Sequence, residues 1–185
     1  MNVLGIDIGY SNLKLAYGPQ GAEPKVLLRP AGAAPADRLG EKIGGNGEED
    51  FLRVLVNGEP FVAGLSPDRA ELWSRELHED YPSTNSYRAL FHAGLLLSEL
   101  DQIDLVVTGL PVNQYLNPEL RERLAAQMQG EHQITPRRKI TVSKVKVVPQ
   151  PVGGFVDHVW SLQDATEIED SRVLVVDPGF FSVDW

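Results

Sequence analysis

The sequence contains no cysteine among its 185 residues. This absence excludes a disulfide-linked scaffold and any metal site built from thiolates, and it fits a reducing cytoplasm. A chain of this length can form a hydrophobic core without such cross-links. We therefore expect one ordinary globular domain, or one domain with a fragment of a second.

Basic residues are scarce, with 17 Lys and Arg against 26 Asp and Glu, for a formal net charge of -9. Direct DNA binding requires a basic face, so we expect no direct contact with nucleic acid. One short segment departs from this balance, with Arg137, Arg138, Lys139, Lys144 and Lys146. It is interpreted either as the solvated rim of strands, which is the simpler reading, or as a patch for a protein partner.

Long hydrophobic runs are absent as well. No stretch approaches the roughly 18 apolar residues that a membrane span needs. The N-terminus passes directly into a strand-like pattern, without the basic and apolar regions of a signal peptide. We therefore expect a cytoplasmic protein with no membrane contact.

The first half of the sequence predicts mostly strands. An apolar run at residues 3–8, an alternating pattern at 13–17 and a third run at 25–29 predict an antiparallel meander. Residues 30–47 are rich in Gly, Ala and Pro and predict a loop. Asn57-Gly58 between two apolar runs predicts a hairpin, and residues from about 31 to 80 are expected to form a small inserted subdomain.

The second half alternates helices and strands. Helices are predicted at 84–100, from the Asn117 cap to about 129, and at 152–162, with strands at 104–108 and 173–176. The apolar face switches near Ser143, which predicts a bulge or two separate strands. This order is that of an α/β domain of the ribonuclease-H-like class with a mixed sheet.

An internal repeat is the most specific signal. Residues 3–9, VLGIDIG, reappear as residues 173–179, VLVVDPG, and both copies are apolar strands that end in Asp-x-Gly. The glycine lets the backbone turn so that N–H groups can cradle phosphate oxygens. The carboxylate would repel phosphate, so its natural role is to hold Mg²⁺. Two facing hairpins of this kind would clamp a polyphosphate from both sides.

These motifs resemble those of a known family. Residues 5–14, GIDIGYSNLK, resemble the first phosphate motif of actin-like ATPases, and residues 175–184, VVDPGFFSVD, resemble the second. Within the actin/Hsp70/sugar-kinase superfamily, residues 108–112 and 148–155 look like the ParM/StbA plasmid-partition proteins. The resemblance covers the whole chain in order, as an N-terminal half.

The resemblance implies a role for each site residue. Asp7 and Asp177 would be the catalytic and metal-organising carboxylates, and Gln150 would position the attacking water. Part of the family has Glu at this place; an amide orients water but cannot act as a general base. The groups that would bind the nucleotide phosphates are Gly9, Ser11, Asn12, Lys14, Gly179 and Ser182.

The implied function is a filament-forming ATPase for plasmid or DNA segregation. It would use ATP or GTP with Mg²⁺, and an adaptor protein would hold the DNA. Two alternatives remain open: a sugar-type kinase of the same superfamily, for which no carboxylate base is evident, and a non-polymerising ATP-binding scaffold.

The resemblance also implies a domain division. Residues 1–165 would form domain I, and residues 166–185 the first hairpin of domain II, cut off at Trp185. Because domain II would supply the adenosine pocket, we expect this chain alone to be inactive and to bind ATP weakly or not at all, with millimolar or weaker affinity. The unpaired strand at its end suggests a strand-exchanged dimer.

Overall fold

A computed structural model of the chain describes residues 1–38, 51–65, 80–162, 168, 171–179 and 183–185. The strands are β1 (Asn2–Ile8), β2 (Asn12–Pro19), β3 (Lys25–Pro30), β4 (Gly32–Pro35), β5 (Leu52–Val56), β6 (Glu59–Leu65), β7 (Gln102–Ile103), β8 (Leu105–Leu110), β9 (Gly130–Thr135), β10 (Arg138–Val142), β11 (Val145–Pro149), β12 (Asp177–Pro178) and β13 (Val183–Asp184). The helices are α1 (Asn85–Leu97), α2 (Val112–Tyr115), α3 (Pro118–Met128) and α4 (Pro151–Ser161).

The main sheet has five strands in the order β3-β2-β1-β8-β11. The first three strands form the predicted antiparallel meander. Strand β8 then pairs parallel to β1, and β11 pairs parallel to β8. This mixed sheet, with helices between its later strands, confirms the predicted ribonuclease-H-like α/β class.

A smaller sheet, in the order β4-β6-β5, lies within the range predicted as an inserted subdomain. Its hairpin turns at Asn57-Gly58 as predicted, because both residues adopt positive φ angles of 54° and 86°. The loop prediction is wrong for β4, where β6 supplies the partner strand that a local composition cannot reveal. Residues 39–50 and 66–79 of the range lie outside the described residues, and the proposed boundaries stay a prediction.

Helix α1 joins the two sheets. It begins at the Thr84 cap, whose Oγ1 accepts from the Tyr87 amide at 3.2 Å. Its buried face shares one hydrophobic core with Leu4 and Leu15 of the main sheet and with Val54 of the small sheet. Gly94 allows the close approach, because a Cβ atom there would lie 2.6 Å from Ile6 Cδ1.

The face switch near Ser143 marks two separate strands in two different sheets. Strand β10 pairs with β9 and β7, whereas β11 belongs to the main sheet. The cap of α3 also forms as predicted, with Asn117 Oδ1 accepting from the Glu119 amide at 3.0 Å. None of the helices in the described ranges has both the length and the apolar character needed to cross a membrane.

The strand predicted at residues 173–176 does not form. Only Asp177–Pro178 pairs, antiparallel, with Val183–Asp184, while residues 171–176 have no regular structure. The backbone of an apolar segment becomes a strand only when a neighbour completes its hydrogen bonds. No such neighbour is present in the part of the chain described, and Leu174 stays 73% exposed. The domain boundary between residues 165 and 166 stays a prediction.

Candidate functional site

A cleft of about 310 Å³ opens where β1, β8 and β11 end. Parallel strands place their carboxyl ends at the same edge of a sheet, and ligands of open α/β sheets bind outside that edge. The sequence-predicted residues that line the cleft are Asp7, Gly9, Ser11, Asn12, Lys14, Gln150, Asp177 and Gly179. Ser182, the remaining predicted residue, lies outside the described residues.

The carboxylate of Asp7 is held by two partners. Lys14, its cross-strand neighbour in the β1–β2 register, places Nζ 3.1 Å from Asp7 Oδ2. Gln150 donates from Nε2 to Asp7 Oδ1 at 3.3 Å. The Asp7 side chain remains 38% exposed and that of Lys14 60%, so both face the solvent of the cleft. One wall of the cleft therefore presents a carboxylate that contacts both an ammonium and an amide.

Gln150 is positioned by the start of α4. Its backbone amide donates to Leu110 O at 2.9 Å, and its side chain makes no capping bond to the helix. Gln150 thus occupies the N-cap position of α4, where its carbonyl accepts from the Gly153 amide at 3.0 Å, while its side chain extends into the cleft. Its Cγ passes over Gly109, where an added Cβ would lie 2.7 Å away. Gly109 thus leaves the space through which Gln150 reaches Asp7.

One backbone amide in the turn of the first hairpin is hydrogen-bonded within the turn. Gly9 N–H donates to Asn12 O at 3.0 Å, which closes the turn between β1 and β2. The carbonyl of Ser11 accepts from the Ala31 amide at 3.0 Å. Since the Gly9 amide is engaged, the groups left to meet an anion from this wall include the Ser11 hydroxyl, the Asn12 amide and Lys14.

The second hairpin contributes Asp177, Pro178 and Gly179 to the same cleft. The Gly179 amide donates to Asp177 O at 3.1 Å, which makes this a tight turn. Val175, just before it, lies against α4, since a Cβ added to Gly154 would come 3.4 Å from Val175 Cγ1. The two Asp-x-Gly motifs, far apart in sequence, thus line one cavity.

Carboxylate oxygens are the ligand type that Mg²⁺ prefers. No group of three or more His, Asp or Glu side chains suited to a metal occurs in the described ranges. Asp7 and Asp177 are the carboxylates that line the cleft and could hold such an ion.

Sequence reasoning missed an aromatic wall of the cleft. Tyr10 and Tyr81 stack with ring centroids 4.4 Å apart, and Tyr87 meets Tyr81 edge-on at 5.3 Å. Burial raises the pKa of both Tyr81 and Tyr87, so their phenols stay protonated at neutral pH. Tyr10 sits inside the Asp-x-Gly turn and was visible in the motif, whereas nothing in the sequence linked Tyr81 to it.

A comparison with protein-family models matches residues 5–153 to the N-terminal domain of actin-like proteins. No curated protein matches the chain. Because residues 5–153 make up most of the chain, the match identifies the family.

Solved structures give the same fold. An apo pSK41 ParM protein matches with a TM-score of 0.62 and 17% identity, over 84% of this chain and 51% of that one. AlfA from a B. subtilis plasmid, a filament structure, gives 0.58 and 16% over 96% and 62%. An AlfA filament bound to AMPPNP gives 0.56 and 16% over 83% and 56%. The chain thus spans roughly half to three fifths of the length of these structures.

Proposed function

The chain belongs to the actin-like protein family, whose N-terminal domain it matches, and from this premise we propose that it is the nucleotide-binding half of an actin-like ATPase. The proposed ATPase polymerises with Mg-ATP and serves plasmid or DNA segregation. One observation carries the proposal: Asp7, Lys14 and Gln150 meet at one end of the main sheet, in the cleft that Asp177 and Gly179 also line.

The cleft suits a nucleotide's phosphates in size and chemistry. Its volume of about 310 Å³ lies at the lower end of the range of small-molecule sites. Lys14 offers one positive charge, but Asp7 and Asp177 would repel a bare triphosphate. A magnesium ion held by these two carboxylates would offset that repulsion and supply charge stabilisation for phosphoryl transfer.

The residues of this chain would act mainly by orientation. Because Gln150 Nε2 donates to Asp7, Gln150 Oε1 would be the atom that accepts a hydrogen bond from the attacking water. An amide oxygen accepts a hydrogen bond from water without removing its proton, so Gln150 would align the nucleophile. Lys14 would lie beside the developing negative charge of the phosphates.

Assembly and partners follow as further parts of the proposal. Two of the similar structures are AlfA filaments, which supports self-association of this protein through nucleotide-dependent contacts. The net charge of -9 favours an adaptor protein over direct contact with DNA. Apolar residues around Leu174 are exposed to solvent. A strand-exchanged dimer of this chain therefore stays a prediction, which light scattering can test.

The test uses the complete native protein. Wild-type protein should sediment as polymer with Mg-ATP, release phosphate, and lose both properties when Asp7 is replaced by Asn. Phosphate transfer to a sugar in place of water would favour the kinase alternative. Tight ATP binding with neither polymer nor phosphate release would favour the scaffold, and no ATP binding at all would remove the proposal.

A further inference from the structure

The stacked pair of Tyr10 and Tyr81 joins two different parts of the fold. Tyr10 lies in the short turn between β1 and β2, next to Gly9 and Ser11. Tyr81 opens a 3-10 turn, Tyr81–Ser83, that leads into α1. Their rings lie 4.4 Å apart with an interplanar angle of 20°, an offset-stacked arrangement. The phosphate-side turn of the cleft thus rests on a ring supplied from elsewhere in the chain.

Tyr81 is held from three directions. Its carbonyl accepts from Thr84 Oγ1 at 2.8 Å and from the Thr84 amide at 3.0 Å, at the start of α1. Its ring meets that of Tyr87, which is only 4% exposed. The preceding residue, Asp80, forms an ion pair with Arg123 of α3. Tyr81 is therefore held in place by contacts to α1 and, through the neighbouring Asp80, to α3.

Two backbone bonds hold the turn that carries Tyr10. Gly9 N–H donates to Asn12 O, and Ala31 N–H donates to Ser11 O. Side-chain packing of Tyr10 on Tyr81 adds a contact that fixes the turn relative to α1. Because both rings line the same cleft as Asp7 and Lys14, a movement of Tyr10 would move the groups that face the ligand.

We propose that Tyr10 and Tyr81 form a positioning pair that holds the first phosphate turn against α1 and so sets the affinity of the cleft for the phosphates of a nucleotide. This inference rests on the proposed nucleotide-binding function. Neither tyrosine is assigned a chemical step. Their role is to keep residues 9–12 in the binding geometry before the ligand arrives, which avoids an ordering cost on binding.

Two measurements test the pair. Amide hydrogen exchange of residues 9–12 is compared, without ligand, in the wild-type chain, Tyr10→Ala and Tyr81→Leu. Mg-ATP dissociation constants are then measured for the same variants in the complete native protein, well below their melting temperatures. Tyr81→Phe keeps the stack. Tyr115→Leu removes a half-buried tyrosine that lies on α2 against Arg121, 4.8 Å from ring centroid to guanidinium carbon, and that does not line the cleft.

We expect faster exchange at residues 9–12 and about a three- to tenfold loss of Mg-ATP affinity in Tyr10→Ala and in Tyr81→Leu, as befits one aromatic stack. Tyr81→Phe should keep both the exchange rates of residues 9–12 and the Mg-ATP affinity at their wild-type values. The double variant should lose no more affinity than the worse single one, because both changes break the same contact.

The proposal is overturned if neither exchange nor affinity changes in Tyr10→Ala, the variant least able to disturb the fold, or if Tyr115→Leu produces the same losses. If the wild-type protein binds no Mg-ATP, the proposed function falls and takes the affinity claim with it. The exchange measurement needs no nucleotide, and it decides separately whether the stack holds the turn.

Discussion

Gln150 Nε2 lies 3.3 Å from Asp7 Oδ1, although 143 residues separate them in sequence. The contact ties the end of the outermost strand of the main sheet to the end of its central strand. The Gln150 side chain can reach Asp7 because it passes over Gly109 of β8, which has no side chain.

Replacing Gln150 with Ala should slow hydrolysis while leaving nucleotide binding nearly unchanged. The side chain is proposed to orient water, and the loss of one positioned catalytic group typically costs on the order of 10²-fold in rate. Single-turnover phosphate release in the complete native protein measures the effect. An unchanged rate would remove Gln150 from the mechanism.

Replacing Asp7 with Asn should weaken Mg-ATP binding by roughly tenfold or more, because the metal loses its anionic ligand or the water shell that this ligand orders. Titration calorimetry over a range of Mg²⁺ concentrations measures it. Asp101→Asn is the matched control, since Asp101 is 88% exposed and pairs with Arg138 away from the cleft. Equal losses in both variants would argue against a metal role for Asp7.

Replacing Lys14 with Gln should lower nucleotide affinity without lowering stability noticeably. The Asp7–Lys14 pair is solvent-exposed, and exposed ion pairs contribute about 0–1 kcal/mol. Urea denaturation and Mg-ATP titration of the same variant separate the two quantities. A large loss of stability with unaltered affinity would mark Lys14 as a structural strand residue.

Replacing Gly109 with Ala should displace Gln150. The new Cβ would lie 2.7 Å from Gln150 Cγ, and overpacking of this kind typically costs about 1–3 kcal/mol unless the neighbour moves. Because Gln150 is a flexible side chain at the cleft, we expect it to move and hydrolysis to fall as in Gln150→Ala. Gly153→Ala is the control, as no atom beyond the adjoining backbone of α4 lies within 4 Å of the added Cβ.

Stability should fall as the pH is lowered from 6.5 towards 4. His92 is buried and its Nδ1 lies 2.5 Å from Leu55 O. Burial, with smaller effects of His132 and Arg88, lowers its pKa from 6.5 to about 4, and burial lowers the pKa of His132 as well. Between these values the unfolded state binds more protons than the folded state, so acid favours unfolding.

For His92 alone the loss is on the order of 3 kcal/mol, fully developed near pH 4. Urea denaturation at pH 7 and pH 5 should show about 2 kcal/mol of this loss. His92→Gln should flatten the pH dependence even if it lowers stability overall, whereas the same change at the exposed His158 should leave the dependence unaltered. An identical pH dependence in His92→Gln and the wild type contradicts the assignment.

The failure at residues 173–176 shows where local reasoning stops. Their apolar run has the same pattern as residues 3–8, which do form a central strand. The difference is that β1 has β2 and β8 on its two sides, whereas no strand flanks residues 173–176 in the part of the chain described here. The converse holds for β4, whose composition resembles a loop and which becomes a strand because β6 lies beside it.

The sequence by itself determined the local features: the alternation that marks the meander, the Asn57-Gly58 turn, the Asn117 cap and the two Asp-x-Gly turns. Each depends on dihedral preferences and side-chain spacing within a few residues. Only the tertiary structure decided that Gln150 reaches Asp7 and that Tyr81 supports Tyr10. Those contacts join residues that are distant along the chain, and their geometry is fixed by the packing of α1 and by the strand order of the sheet.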